Sequence, residues 1–213
     1  MSHDDFQREA LPGLPEHPPE GERILWQGRP HWWALANEAL GLRWVALYFA
    51  ALAAWRGAAA WINLSPAKGI EAASVLLVMG GLACALILAI AWVQARATVY
   101  TITSRRVAMR IGAALTVTLN LPYRWIGAAD LKPGRRGTGT IALDLIGETR
   151  FSYVVLWPHV RPWQMRRAQP ALRCIPDAEA VGRLLAETAR ASVTLDRAGR
   201  ASAPPHAPAI AAE

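Results

Sequence analysis

Ala72-Ala-Ser-Val-Leu-Leu-Val-Met-Gly-Gly-Leu-Ala-Cys-Ala-Leu-Ile-Leu-Ala-Ile-Ala-Trp-Val-Gln-Ala-Arg96 decides the class of this protein. No charged side chain lies between Glu71 and Arg96. A helix needs about 20 apolar residues to cross the hydrocarbon core of a bilayer, and Ala72–Val93 meets that length. Trp92, near the end of the run, suits the aromatic belt at headgroup depth. Moving toward the N-terminus, a second apolar run extends from Leu42 to about Ile62, decorated by Trp44, Tyr48, Trp55 and Trp61 and interrupted by Arg56. A charge near the bilayer centre costs roughly 3 kcal/mol on insertion scales. Arg56 lies nearer the end of its run, where a long stem can carry the guanidinium to the interface. The sharper alternative is that Arg56 meets an acidic group on a partner helix or a lipid phosphate.

Asn63 to Ile70 connects the runs, with Pro66 and Gly69 read as helix stops. So short a link makes the two spans antiparallel and puts both termini on one side. Arg43 precedes the first span, and Arg96, Arg105, Arg106 and Arg110 follow the second, whereas the link carries only Lys68, plus Arg56 at the membrane edge. The positive-inside rule therefore places both termini in the cytoplasm. Small residues are frequent on both spans. Gly80 and the pair Gly81 and Ala85, at small-xxx-small spacing, are candidate helix-packing positions, serving either the partner span or another protein.

The composition agrees with a two-phase chain. Of the 213 residues, 53% are hydrophobic and 18% charged, but the apolar ones crowd between Leu42 and Ala95. The net charge of +7 is also uneven, acidic ahead of the first run and basic after the second. Basic protein beside a membrane points to anionic headgroups. No nucleic-acid reader motif accompanies it, so nucleic acid is not an expected partner. The acidic, polar N-terminus lacks the features of a signal peptide. Cys84 and Cys174 belong to different phases and read as small apolar packing residues, not as a disulfide or a metal pair.

Past Arg96 the pattern becomes alternating. Seven short strands are expected, at 97–103, 107–111, 115–121, 123–131, 140–145, 151–156 and 171–175. The loop Lys132-Pro-Gly-Arg-Arg-Gly-Thr-Gly139 is turn-rich and basic. Asp177 then stands where a helix cap belongs, and Val181, Leu184, Leu185 and Thr188 recur on one stripe of a closing helix of about three turns. The chain thus divides into an acidic N-terminal segment (1–40), a two-helix transmembrane hairpin (41–95), a cytoplasmic β-rich domain (96–192) and a disordered, Ala- and Pro-rich tail (193–213).

The segment Tyr100-Thr-Ile-Thr-Ser-Arg-Arg-Val-Ala-Met-Arg-Ile-Gly112 resembles the opening hairpin of bacterial pleckstrin-homology (PH-like) domains. Ile126, the loop Gly137-Thr-Gly-Thr-Ile141 and the last helix fall where that family places its later elements. Gly21-Glu-Arg-Ile-Leu-Trp-Gln-Gly-Arg-Pro30 resembles the short segment found ahead of the spans in such proteins. The fold implied is a membrane α-hairpin plus β: two transmembrane helices, then a PH-like seven-stranded antiparallel barrel or sandwich capped by a C-terminal helix. A narrower resemblance rests on Met1-Ser-His-Asp-Asp-Phe6, Gly13-Leu-Pro15, Glu20 to Pro30, Tyr48-Phe49 and Trp55-Arg56. These are similar to the PuhB family, photosynthetic-complex assembly proteins of purple bacteria. That likeness implies a non-enzymatic assembly factor whose partners are reaction-centre and light-harvesting 1 subunits, with self-association left open. Some members of that family are described with three spans, whereas only two runs here are long enough.

No catalytic, cofactor or metal site is expected. His3, His17, His31, His159 and His206 show no metal-ligand spacing. A pigment-handling protein could use His31 or His159 as a magnesium ligand, but the bland reading is a solvated or interfacial imidazole. Gly134-Arg-Arg-Gly-Thr-Gly139 is a charged hairpin loop and not a phosphate-binding loop of the Walker or dinucleotide type. Trp26, Arg29, Arg56, Lys132, Arg135 and Arg136 are the candidate contacts to lipid or partner. The rival to assembly is a general lipid-sensing or envelope-maintenance module of the PH-like type. An enzyme of lipid or pigment metabolism has no supporting constellation.

Overall fold

The computed structural model describes residues 18–113, 116–135, 137–147 and 151–201. Strand β1 (Ile24–Gly28) and a short helix α1 (Trp32–Glu38) lead into two long helices, α2 (Leu42–Asn63) and α3 (Pro66–Ala97). Each long helix is apolar enough to cross a membrane, and only 6% of the most apolar stretch of each is buried within the molecule. The core helix of a soluble protein would be covered by its neighbours. Among the described residues these two pack mainly on each other and on α1, so by length, composition and exposure they are candidate membrane spans.

The connection between them is shorter than expected. Pro66 does not end a helix but begins one. It occupies the first turn of α3, where its missing N–H is no loss, and Ser65 caps that turn by accepting from Lys68 N–H at 3.4 Å. Gly69 lies inside α3, where it lets the spans approach: a Cβ there would come 2.8 Å from the Cβ of Trp61. At 32 residues, α3 is about 48 Å long, well beyond the roughly 30 Å of hydrocarbon. It is therefore longer than one crossing of the hydrocarbon requires.

After Thr98 the chain enters β2 (Val99–Thr103) with no linker. Strands β3 (Arg106–Ile111) and β4 (Val117–Pro122) complete an antiparallel sheet in the order β1-β2-β3-β4. A second antiparallel sheet holds β5 (Ile126–Pro133), β6 (Thr138–Leu145) and β7 (Ala171–Pro176) in that order. The sheets enclose one core, in which Tyr100, Ile102, Val107, Met109 and Leu121 meet Ile141, Leu143, Leu172 and Ile175. Helix α5 (Ala178–Ala201) closes it with Val181 and Leu185, while Leu184 and Thr188 are half-buried on the expected stripe.

Several expectations are corrected. The seventh strand is β1, drawn from ahead of the spans. The segment 151–156 is no strand but contains a single helical turn, α4 (Tyr153–Leu156). A short apolar run does not distinguish a strand from a helical turn. Here Leu156 is fully buried in the core and Phe151 and Tyr153 pack partly buried against it, while Val154 and Val155 stay exposed. A 3-10 turn (Tyr123–Trp125) takes the start of the expected fourth strand. The C-terminal helix continues to Ala201, so a disordered tail from 193 is not observed. Residues 202–213 lie outside the described residues.

The segment ahead of the spans is not a separate unit. Ile24 to Gly28 pairs with Tyr100 to Thr103, and Glu22 forms a 2.9 Å ion pair with Arg106 on β3. The two-helix hairpin is thus inserted between the first two strands of one sheet and is held by the domain at both of its ends.

Candidate functional site

Where α3 runs into β2, polar side chains are buried and joined to one another. Thr98 Oγ1 lies 3.0 Å from His159 Nε2, and the Tyr100 hydroxyl lies 2.6 Å from His159 Nδ1. The backbone N–H of Arg173 donates to the same hydroxyl at 3.3 Å. With that lone pair engaged, the phenol donates to Nδ1, and Nε2–H is left to serve Thr98. His159 is only 1% exposed. Burial, helped by the nearby Arg173 guanidinium, lowers its pKa to about 3, so the ring is neutral under ordinary conditions. This overturns the expectation of a solvated imidazole. Burial likewise raises the Tyr100 phenol far above its ordinary range and pushes the Cys174 thiol up to about 12. The histidine thus has both ring nitrogens engaged within the fold, and the thiol is held protonated.

Arg173 reaches from β7 toward α1. It donates to the carbonyls of Pro158 and Val160, both at 3.4 Å, and of Glu38 at 3.1 Å. Cys174 Sγ lies 3.8 Å from Glu38 Oε2, and the carbonyl of Cys174 accepts from His31 N–H at 2.8 Å. His31 also caps α1, its Nδ1 accepting from Ala34 N–H at 3.4 Å. The other face of α1 packs on α3, where Ala36 joins Leu42 and Ala91 in a small cluster that Cys84 abuts. Both cysteines are free. The spans, the domain and α1 are therefore locked together by one polar network and one apolar cluster.

Beside this junction opens a cleft of about 1050 Å³. Its walls are α1, the start of α2, the β5–β6 hairpin and the segment after α4. Lys132, Arg135, Arg43 and Arg173 line it, with Glu38 the one carboxylate among its described lining residues. Trp33, Trp44, Trp157 and Trp163 form much of its rim, and Trp163 is 89% exposed.

The candidate residues fall in different places. Lys132 and Arg135 do come together, on the cleft; Arg136 lies outside the described residues. Trp26 is half-buried on β1 and packs against the core, and a Cβ on Gly28 would strike its ring at 2.3 Å. Arg29 is exposed beyond β1, and Arg56 is exposed on α2 far from the cleft. Gly80 packs under Phe49, whereas Gly81 and Ala85 face outward on α3, with nothing within 4 Å of a Cβ on Gly81. Near the link the spans leave an apolar groove of about 470 Å³, lined by small residues such as Ala54, Gly57, Ala58 and Ala73. Among the described residues no three metal-ligating side chains gather. His159, Arg173, Tyr100 and Thr98 were not marked by any local signal in the sequence, since burial and long-range pairing single them out.

Residues 39–189 match the family described as Bacterial PH domain. The chain belongs to that family. Its PH domain is the two-sheet unit with the C-terminal helix, and the seven strands with their closing helix agree with the fold that the sequence implies. A curated relative from Rhodobacter capsulatus, "Uncharacterized 23.7 kDa protein in puhA 5'region", is 49% identical over 195 residues, covering 91% of each chain. No solved structure gives a significant match.

Proposed function

We propose that this PH-domain protein is a non-enzymatic assembly factor for the reaction-centre/light-harvesting 1 complex of purple bacteria. It sits in the inner (intracytoplasmic) membrane with the PH domain and both termini in the cytoplasm. The observation that carries the reading is the bare hairpin. Its outward faces present small residues, Gly81 and Ala85 on α3 and Ala54 and Ala58 in the groove near the link, all of them exposed among the described residues. In lipid such faces let a second helix approach closely. Client helices would dock there while the polar junction keeps the hairpin at a fixed angle to the PH domain.

The relative named for the puhA 5′ region supports the photosynthetic client, in line with the resemblance to the assembly-protein family. The arginines at the domain end, Arg43, Arg96, Arg105, Arg106 and Arg110, against Lys68 at the link, support the cytoplasmic placement. The buried, neutral His159 and the protonated Cys174 support a role without catalysis. Deleting the gene should lower the amount of assembled reaction centre while transcripts of its subunits stay level. Normal complex levels in the deletion strain would end this reading.

A further inference from the structure

We propose that the cleft beside the junction is a binding site for the headgroup of an anionic membrane phospholipid. Its phosphate would sit among Lys132, Arg135 and Arg173, and its acyl chains would leave along the start of α2. The inference does not rest on the identity of the client.

Charge is the first reason. The cleft gathers four cationic side chains against the single carboxylate of Glu38. Arg173 is only 7% exposed, and no described carboxylate pairs with it. Its terminal nitrogens are met by carbonyls and by the neutral Cys174 thiol, and its buried Nε has no partner among the described residues. A buried charge without a counter-ion is costly. A phosphate in the cleft would supply that counter-ion, and guanidinium and phosphate form short, charge-assisted pairs.

Position is the second reason, and it selects a lipid over a free phosphate. Gly41, Arg43 and Trp44, which open α2, form part of the wall, so the cleft begins where the span leaves the bilayer. Arg43 lies over the Trp44 ring at 5.4 Å. Exposed indoles at Trp33, Trp44, Trp157 and Trp163 place the rim at the depth where tryptophan sits in membranes. The apolar Met165 and Pro162 continue the wall where a glycerol backbone would lie. Lipid is the anion present at that depth at all times.

The test uses the full chain in a neutral detergent and native mass spectrometry with equal amounts of phosphatidylglycerol and phosphatidylcholine. The wild type should retain one phosphatidylglycerol in clear preference. A Lys132→Gln/Arg135→Gln variant removes two exposed cations on a hairpin and should fold normally. Its phosphatidylglycerol affinity should fall about 25-fold, about fivefold for each cation near an anionic surface. Arg173→Met should abolish the preference, and the double variant decides the matter even if Arg173→Met does not fold. Equal retention of phosphatidylcholine would overturn the proposal, as would unchanged affinity in the double variant. So would displacement of the lipid by millimolar inorganic phosphate, which would mark a free-phosphate site.

Discussion

The two ends of the long helical hairpin are built on opposite principles. At the domain end α3 passes straight into β2, and Thr98, Tyr100, His159 and Arg173 are buried and joined by directional hydrogen bonds. At the far end a two-residue link, Leu64 and Ser65, separates the helices, and Gly57, Gly69 and Ala73 hold them by shape alone. Hydrogen bonds fix angles, so a buried network specifies one orientation. Small-residue contacts fix distance and leave surface open to a further helix. Under the proposed assembly role, this difference would hold the hairpin at one angle while its outward faces are offered to other helices.

The largest effect should come from breaking the directional end. His159→Leu leaves the Tyr100 and Thr98 hydroxyls buried without their partner, and we expect a loss of about 3 kcal/mol or more in chemical unfolding of the PH domain. At the end held by shape, Gly80→Leu would drive a Cβ to 2.6 Å from the Cβ of Phe49. The overpacking should cost about 2 kcal/mol and splay the spans, read by disulfide trapping between cysteines placed on α2 and α3. Gly81→Leu, where a Cβ meets nothing within 4 Å, should leave both stability and trapping unchanged.

Acidity should act on one end only. The pKa of His159 falls from 6.5 to about 3 on folding. Between those values the unfolded chain binds a proton that the folded one refuses. Stability of the PH domain is therefore full above about pH 6.5 and declines as pH falls toward 3. His159→Gln should flatten that decline in a denaturant series at several pH values, while trapping between the spans stays constant. The smallest effect belongs to the exposed Lys68–Glu71 pair at the link, 2.7 Å apart. Lys68→Gln should leave the melting temperature where it was, because exposed pairs are screened by water and salt.

The parts legible in the sequence are those governed by local pattern. Both spans show in apolar length, the second without a charge and the first broken only by Arg56, and β2, β3, β6 and β7 show in their β-rich apolar runs. The closing helix shows in the stripe from Val181 to Thr188. What stayed hidden depends on distant partners. Ile24 to Gly28 becomes a strand only because Tyr100 to Thr103, on the far side of the whole hairpin, supplies its hydrogen bonds. Pro66 was read as a stop when its position after Ser65 makes it a start. Of the candidate contacts, Lys132 and Arg135 do line one cleft, but the charge at its floor, Arg173, sits in a strand whose neighbours Leu172, Cys174 and Ile175 suggest only packing. A buried cation in such a strand has no local signature.

The outward face of α3 tests the account most directly. A photo-reactive side chain placed at Gly81 or Ala85, activated in intact membranes of a photosynthetically growing strain, should capture reaction-centre or light-harvesting 1 subunits. The same probe at Gly80, packed under Phe49, should react within its own chain. Capture of those subunits from Gly80 as readily as from Gly81, or from neither outward position, would contradict it.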